Sequence, residues 1–191
     1  AMVSCDNKKE AAKPSYKTPD MKLSSDVMTP EVLWSFGRIG GVSVSPDQKS
    51  LVYDVTYFNK EEDRSYSDIY VMNLADGKSK QLTDTDYKEF GETWTSDGKI
   101  AFMSSKSGSV QLWEMNADGS GLTQLTNVEG GIGGFIFSPD KSRLLFLKDV
   151  KLEQDVHDLH PDLPKANARL INDQVYRHWN DWVEAYTHPF V

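Results

Sequence analysis

The chain has 191 residues, 38% hydrophobic and 11% aromatic, which is enough for one sizeable domain. Its net charge of -8, with a pI near 5.0, excludes the basic face that nucleic-acid readers need and a polybasic membrane patch. No apolar run is long enough to span a bilayer.

From the N-terminus, residues 1–26 read as a disordered tether. Residues 11–20 are mostly Lys, Pro, Ser and Thr with little to bury. Cys5 is the sole cysteine, so no internal disulfide framework forms. A cysteine heading a polar tether resembles the mature start of a bacterial lipoprotein. Cys5 is therefore the lipidation candidate, and a lipid anchor is the only membrane contact expected. The expected location is the bacterial cell envelope, periplasmic or at the surface. Next comes Thr29-Pro30-Glu31-Val32-Leu33-Trp34. Thr29 fits an N-cap, Pro30 the first helical position, and Gly37 the stop.

From residue 38 the chain repeats. The first unit carries Val42-Ser43-Val44-Ser45-Pro46-Asp47, Asp68-Ile69-Tyr70-Val71-Met72-Asn73 and Gln81-Leu82-Thr83. The second carries Thr93-Trp94-Thr95-Ser96-Asp97-Gly98, Gln111-Leu112-Trp113-Glu114-Met115-Asn116 and Gln124-Leu125-Thr126. The third begins Gly134-Phe135-Ile136-Phe137-Ser138-Pro139-Asp140. Met72 with Met115, Asn73 with Asn116 and Leu82 with Leu125 share one offset, inside the roughly 40–45-residue period of propeller repeats. Each unit reads as four short strands. Ser-Pro-Asp and Ser-Asp-Gly supply turns. Ala75-Asp76-Gly77 and Ala117-Asp118-Gly119 suit the tight turn between third and fourth strands. Sheets of this kind bury both faces only by stacking against neighbours.

After Asp149 an insertion interrupts the third unit. Its latter half, residues 165–184, has Ile171, Val175, Trp179 and Trp182 at three- and four-residue spacing, which predicts a helix. Then Thr187-His188-Pro189-Phe190-Val191 lines up with Ser67-Asp68-Ile69-Tyr70-Val71, the start of a third strand. The expected fold is all-β: a partial β-propeller of four-stranded antiparallel blades, with a helical insertion in the third. The domain runs over 27–191, with blades at about 38–85, 88–128 and 130–191, the last one cut. An open edge on that blade leads to the expectation that the isolated chain self-associates.

Residues 27–191 resemble the N-terminal propeller half of the prolyl oligopeptidase family of serine peptidases. The specific part is Val175-Tyr176-Arg177-His178-Trp179-Asn180-Asp181-Trp182 with His188-Pro189-Phe190-Val191, which looks like the bacterial dipeptidyl aminopeptidase and acylaminoacyl-peptidase branch. The resemblance implies an α/β-hydrolase domain with a Ser, His and Asp triad, capped by a propeller that filters peptide substrates by size. This sequence has no Gly-x-Ser-x-Gly elbow, so no catalytic residue is carried over. The whole protein is expected to act on peptides through a hydrolase domain outside this sequence. The rival reading is a non-enzymatic periplasmic propeller that binds a protein partner.

Several residues are site candidates. Glu61-Glu62, in the widened hairpin at residues 58–65, have the chemistry to hold a peptide's ammonium, but their setting is that of a solvated loop tip. His157 and His160 with Asp158 and Asp162 are too few and too generic for a metal centre, and residues 156–164 read as a loop. No metal and no cofactor are expected. Arg177, His178 and Glu184 lie on the predicted helix and are candidates for contact with substrate or with the hydrolase domain. Its tryptophans read as packing residues.

Overall fold

The computed structural model describes residues 23, 25–170, 182 and 184–191. It is an all-β arrangement of three antiparallel sheets. Helix α1 (Pro30–Ser35) leads in, with Thr29 at its N-cap and Pro30 in its first turn. The first sheet orders β1 (Arg38–Val44), β2 (Ser50–Asn59), β3 (Arg64–Asn73) and β4 (Ser79–Gln81) side by side. The second repeats this with β5 (Glu89–Trp94), β6 (Ile100–Ser104), β7 (Gln111–Met115) and β8 (Thr123–Gln124). The third has β9 (Gly134–Phe137), β10 (Leu144–Lys151) and β11 (Ala185–Phe190), with α2 (Val156–Leu159) between the last two.

The turn between the first two strands is built alike in each sheet. A hydroxyl donates to a carboxylate two residues on: Ser45 to Asp47 at 2.6 Å, Thr95 to Asp97 at 2.5 Å and Ser138 to Asp140 at 2.6 Å. In the second sheet Thr95, rather than the neighbouring Ser96, takes the part of Ser45. One turn residue is left-handed each time: Gln48 (φ 58), Gly98 (φ 79) and Lys141 (φ 57). Lys141 accepts that geometry while its ammonium reaches across to the second sheet. It bonds Asp97 at 2.8 and 2.9 Å and also Glu114. The Lys141 and Thr95 bonds hold the Asp97 carboxyl down at about 2.

The middle sheet explains the core. Every residue of β6, Ile-Ala-Phe-Met-Ser, is buried. Alternation sends its side chains to opposite faces. Ile100 and Phe102 join Val52, Ile69 and Met115 on the side of the first sheet. Ala101 and Met103 join Leu112 and Ile132, against which Phe135, Phe137, Leu144 and Phe146 of the third sheet pack. The unbroken apolar run Ile100-Ala101-Phe102-Met103 is what burial between two neighbours favours. The outermost faces have no such cover. Val42 is 58% exposed, and Ile136 63%.

Strand β11 pairs Thr187 with Asp149, and Phe190 stacks on Phe146 with centroids 5.6 Å apart. The Thr187 hydroxyl donates to Asp149 at 2.6 Å, at the place where Ser67 meets Thr56 at 2.7 Å in the first sheet. Residues 187–190 therefore hold the third-strand position that the likeness of residues 187–191 to 67–71 indicated.

The insertion departs from expectation. Residues 165–170 are turn and irregular chain, not helix. The Ala166 N–H closes a turn on the Leu163 carbonyl at 3.0 Å. The rest of the predicted helix, residues 171–181 and 183, lies outside the described residues, as do Cys5 and most of the expected tether. Residues 156–164 are not all loop, since α2 occupies the first four. Asp155 caps it, accepting from His157 at 2.8 Å and Asp158 at 3.0 Å, while Asp158 accepts from the Asp155 N–H at 2.9 Å. This is a reciprocal capping box with Asp in the place usually taken by Glu.

Candidate functional site

At one end of the first two sheets four elements leave a cleft of about 680 Å3. Helix α1 gives Trp34. The β2–β3 hairpin gives Phe58, Asn59, Lys60, Asp63, Arg64 and Ser65. The β4–β5 connection gives Asp86, Tyr87 and Lys88, and Ser105 follows β6. The wall is fixed by an aromatic clamp. Trp34 meets Phe58 edge to face at 5.3 Å. The Arg38 guanidinium lies 4.9 Å from the Trp34 ring centre and 4.3 Å from that of Phe58. A cation between two aromatic faces adds attraction to the apolar contact, so α1 is pinned to the hairpin.

The floor is anchored by Asp68. Its carboxylate accepts from the Thr85 N–H at 3.2 Å and from Gln81 at 3.1 Å, holding the connection that carries Asp86, Tyr87 and Lys88. The second sheet has the same device with an amide. There Gln111 accepts from the Val128 N–H at 3.0 Å and from Thr126 at 2.8 Å. Burial pushes the Asp68 carboxyl up to about 6 against those hydrogen bonds, and the Asp84 charge adds to the rise. The third repeat places His188 at this position, paired with Lys148.

Lys60, Asp63, Asp86 and Lys88 form no ion pair with another described residue. The cleft thus presents charges of both signs beside aromatic walls. Its lining also includes the hydroxyls of Ser65 and Ser105.

Of the residues singled out from sequence, Glu62 accepts from the Tyr66 hydroxyl of its own hairpin, and the Glu61 and Glu62 N–H groups cap on Asn59 at 3.0 and 3.3 Å. These bonds close the hairpin. Asp158 is engaged by Lys151 and the α2 cap. Glu184 is exposed and paired with Arg169, and its carbonyl accepts from the Leu152 N–H at 3.1 Å, closing the base of the insertion. Arg177 and His178 lie outside the described residues. The clamp of Trp34, Arg38 and Phe58 was missed in the sequence. Trp34 and Phe58 stand on either side of Arg38 in the sequence, 20 residues away in the case of Phe58, so no local pattern marked it.

No family model matches the chain. Its sequence is 45% identical over 165 residues to dipeptidyl-peptidase 5 of Porphyromonas gingivalis, covering 86% of this chain and 24% of that protein. It is 37% identical over 168 residues to dipeptidyl-peptidase 5 of Porphyromonas endodontalis, covering 87% and 24%. The solved Pyrococcus horikoshii acylaminoacyl peptidase shares the fold, with a TM-score of 0.58 and 17% identity over 80% of this chain and 22% of that one. In sequence and fold the chain is a propeller piece of the prolyl oligopeptidase family of serine peptidases. Within that family its sequence is similar to the dipeptidyl-peptidase 5 proteins, and it spans about a quarter of their length.

Proposed function

We propose that this chain is the substrate-gating propeller part of a cell-envelope serine exopeptidase that trims peptides, with the catalytic hydrolase domain lying outside this sequence. The observation that carries the reading is the 45% identity to dipeptidyl-peptidase 5 across 165 residues. The sheet stack supports it. Its outer faces, where Val42 and Ile136 stand exposed, have the apolar character of faces that meet further blades. In this reading a peptide entering past the first blade rests an apolar side chain on Trp34, Phe58 and Tyr87. Asp63 and Asp86 attract its ammonium, while Lys60 and Lys88 attract its carboxylate. Cys5 carries the lipid that holds the enzyme at the membrane. Arg177 and His178 contact the hydrolase domain, and Glu184 supports them by closing the insertion on Arg169.

One experiment tests these points together. The natural gene product is isolated from the membrane fraction after growth with a fatty-acid probe, then treated with a serine-directed fluorophosphonate. The expected product is much longer than 191 residues, is labelled by both reagents, and loses only the lipid label on Cys5→Ser. A product of this chain's size that takes neither label overturns the reading.

A further inference from the structure

The seam between the first two sheets holds an acidic pair that the proposed function does not use. Asp54 is on β2 and 5% exposed, and Glu92 is on β5 and also 5% exposed. Both point at the irregular stretch of β1, where the register shifts between Ile39 and Val42. The Gly41 N–H donates to Asp54 at 3.0 Å. A Cβ on Gly40 would sit 2.3 Å from an Asp54 oxygen, and one on Gly41 would sit 3.0 Å from a Glu92 oxygen. The two carboxylates thus fill neighbouring spaces that the glycines leave open. β5 is irregular at the same level, between Phe90 and Thr93.

Neither Glu92 oxygen reaches water, and neither completes a well-formed hydrogen bond with a described residue. The surrounding elements bring no compensating cation. β1 offers Arg38, whose guanidinium is held over Trp34 and Phe58. β2 offers Tyr53 and Tyr57 besides Asp54 itself, and β3 offers Arg64, over the Tyr66 ring, with Tyr66, Asp68 and Tyr70. β5 adds Glu89, another buried acid, and β6 has no titratable group. Two ionised carboxylates in a dry seam repel each other and lose their hydration. One proton removes both penalties, because a protonated Glu92 becomes a donor and Asp54 an acceptor.

We propose that Asp54 and Glu92 share a single proton across the seam between the first and second sheets, forming a latch that loosens when the proton is lost. Burial, followed by the Asp54 charge and opposed by a backbone N–H, pushes Glu92 up to about 8. The sign follows from linkage. The unfolded chain releases this proton near the ordinary glutamate value of about 4.3, whereas the folded chain keeps it until about pH 8. Between those values the folded state binds one proton more, so stability falls as pH rises, by up to tenfold in the folding equilibrium per pH unit. Above about pH 8 the slope ends.

The test compares the full chain with Glu92→Gln, whose amide donates to Asp54 at every pH. Urea unfolding is followed from pH 5 to pH 9. The ratio of the variant's folding constant to the wild type's should climb by severalfold per pH unit up to about pH 8 and then level off. Taking the ratio cancels the titrations of Asp68 and Glu89. A ratio flat with pH overturns the latch. If the variant does not fold, carboxyl-carbon NMR of the wild type decides. The assigned Glu92 carboxyl titrating above pH 7 supports the pair, and its titration below pH 7 contradicts it.

Discussion

Replacing Phe102, the largest fully buried side chain among the described residues, by alanine is expected to cost about 3–5 kcal/mol. Phe102 is 1% exposed, sits on the most buried strand, and packs with Val52, Ile69 and Met115 in the seam between the first two sheets. Truncation removes a ring's transfer energy and leaves a hole that two sheets cannot close without sliding. Domains carry only about 5–15 kcal/mol in total, so most of the margin disappears. Urea unfolding monitored by tryptophan fluorescence gives the number, because Trp94 and Trp113 lie against this cluster. A loss below about 1 kcal/mol would mean that the seam is not packed as described.

Replacing Gly131 by alanine is expected to cost about 3 kcal/mol, from two independent sources. Its φ is 87°, which a side chain rarely adopts, and the added Cβ would lie 2.8 Å from the Val110 carbonyl oxygen and 3.1 Å from its nitrogen. Those are backbone atoms and have no rotamer to escape into. The next residue, Ile132, hydrogen-bonds the same Val110 carbonyl at 2.9 Å and inserts into the core between the second and third sheets. Gly77→Ala is the control. Its φ is 66°, but nothing lies within 4 Å of the added atom, so only the conformational cost of about 1 kcal/mol remains. Equal melting shifts for the two variants would show that the close approach at Val110 contributes nothing.

The sheets were legible in the sequence because their determinants are local and repeated. The hydroxyl-to-aspartate turn and the Ala-Asp-Gly hairpins each sit within one stretch of chain, and Met72 and Met115 mark their common offset. The continuous apolar run of β6 marked it as a strand, but its two-sided burial followed only once neighbours were present. The α2 helix was lost because its box uses Asp158 where a glutamate is the usual sign. In the insertion, residues 165–170 of the expected helix are turn and irregular chain, with Arg169 bonding Glu184, while Ile171, Val175 and Trp179, whose spacing predicted the helix, lie outside the described residues.

The site was less legible than the fold, since it is assembled from distant segments. Trp34, Phe58 and Tyr87 belong to three elements that meet only when the sheets stack. Glu61-Glu62 drew attention as an adjacent pair, but the Glu62 carboxylate is taken by Tyr66 of its own hairpin. The acids that do converge, Asp54 and Glu92, are far apart in sequence. Their one visible mark was a charge inside an apolar strand, as in Val52-Tyr53-Asp54-Val55.

The claim that this chain is the gating part of a serine exopeptidase is tested most directly by turnover. The protein encoded by the whole gene and the 191-residue chain are each given chromogenic dipeptidyl substrates, with and without a serine-directed inhibitor. The account predicts inhibitor-sensitive release of dipeptides by the longer protein and none by the chain alone. Inhibitor-sensitive turnover by the chain itself, or no turnover by the longer protein on any dipeptidyl substrate, would contradict it.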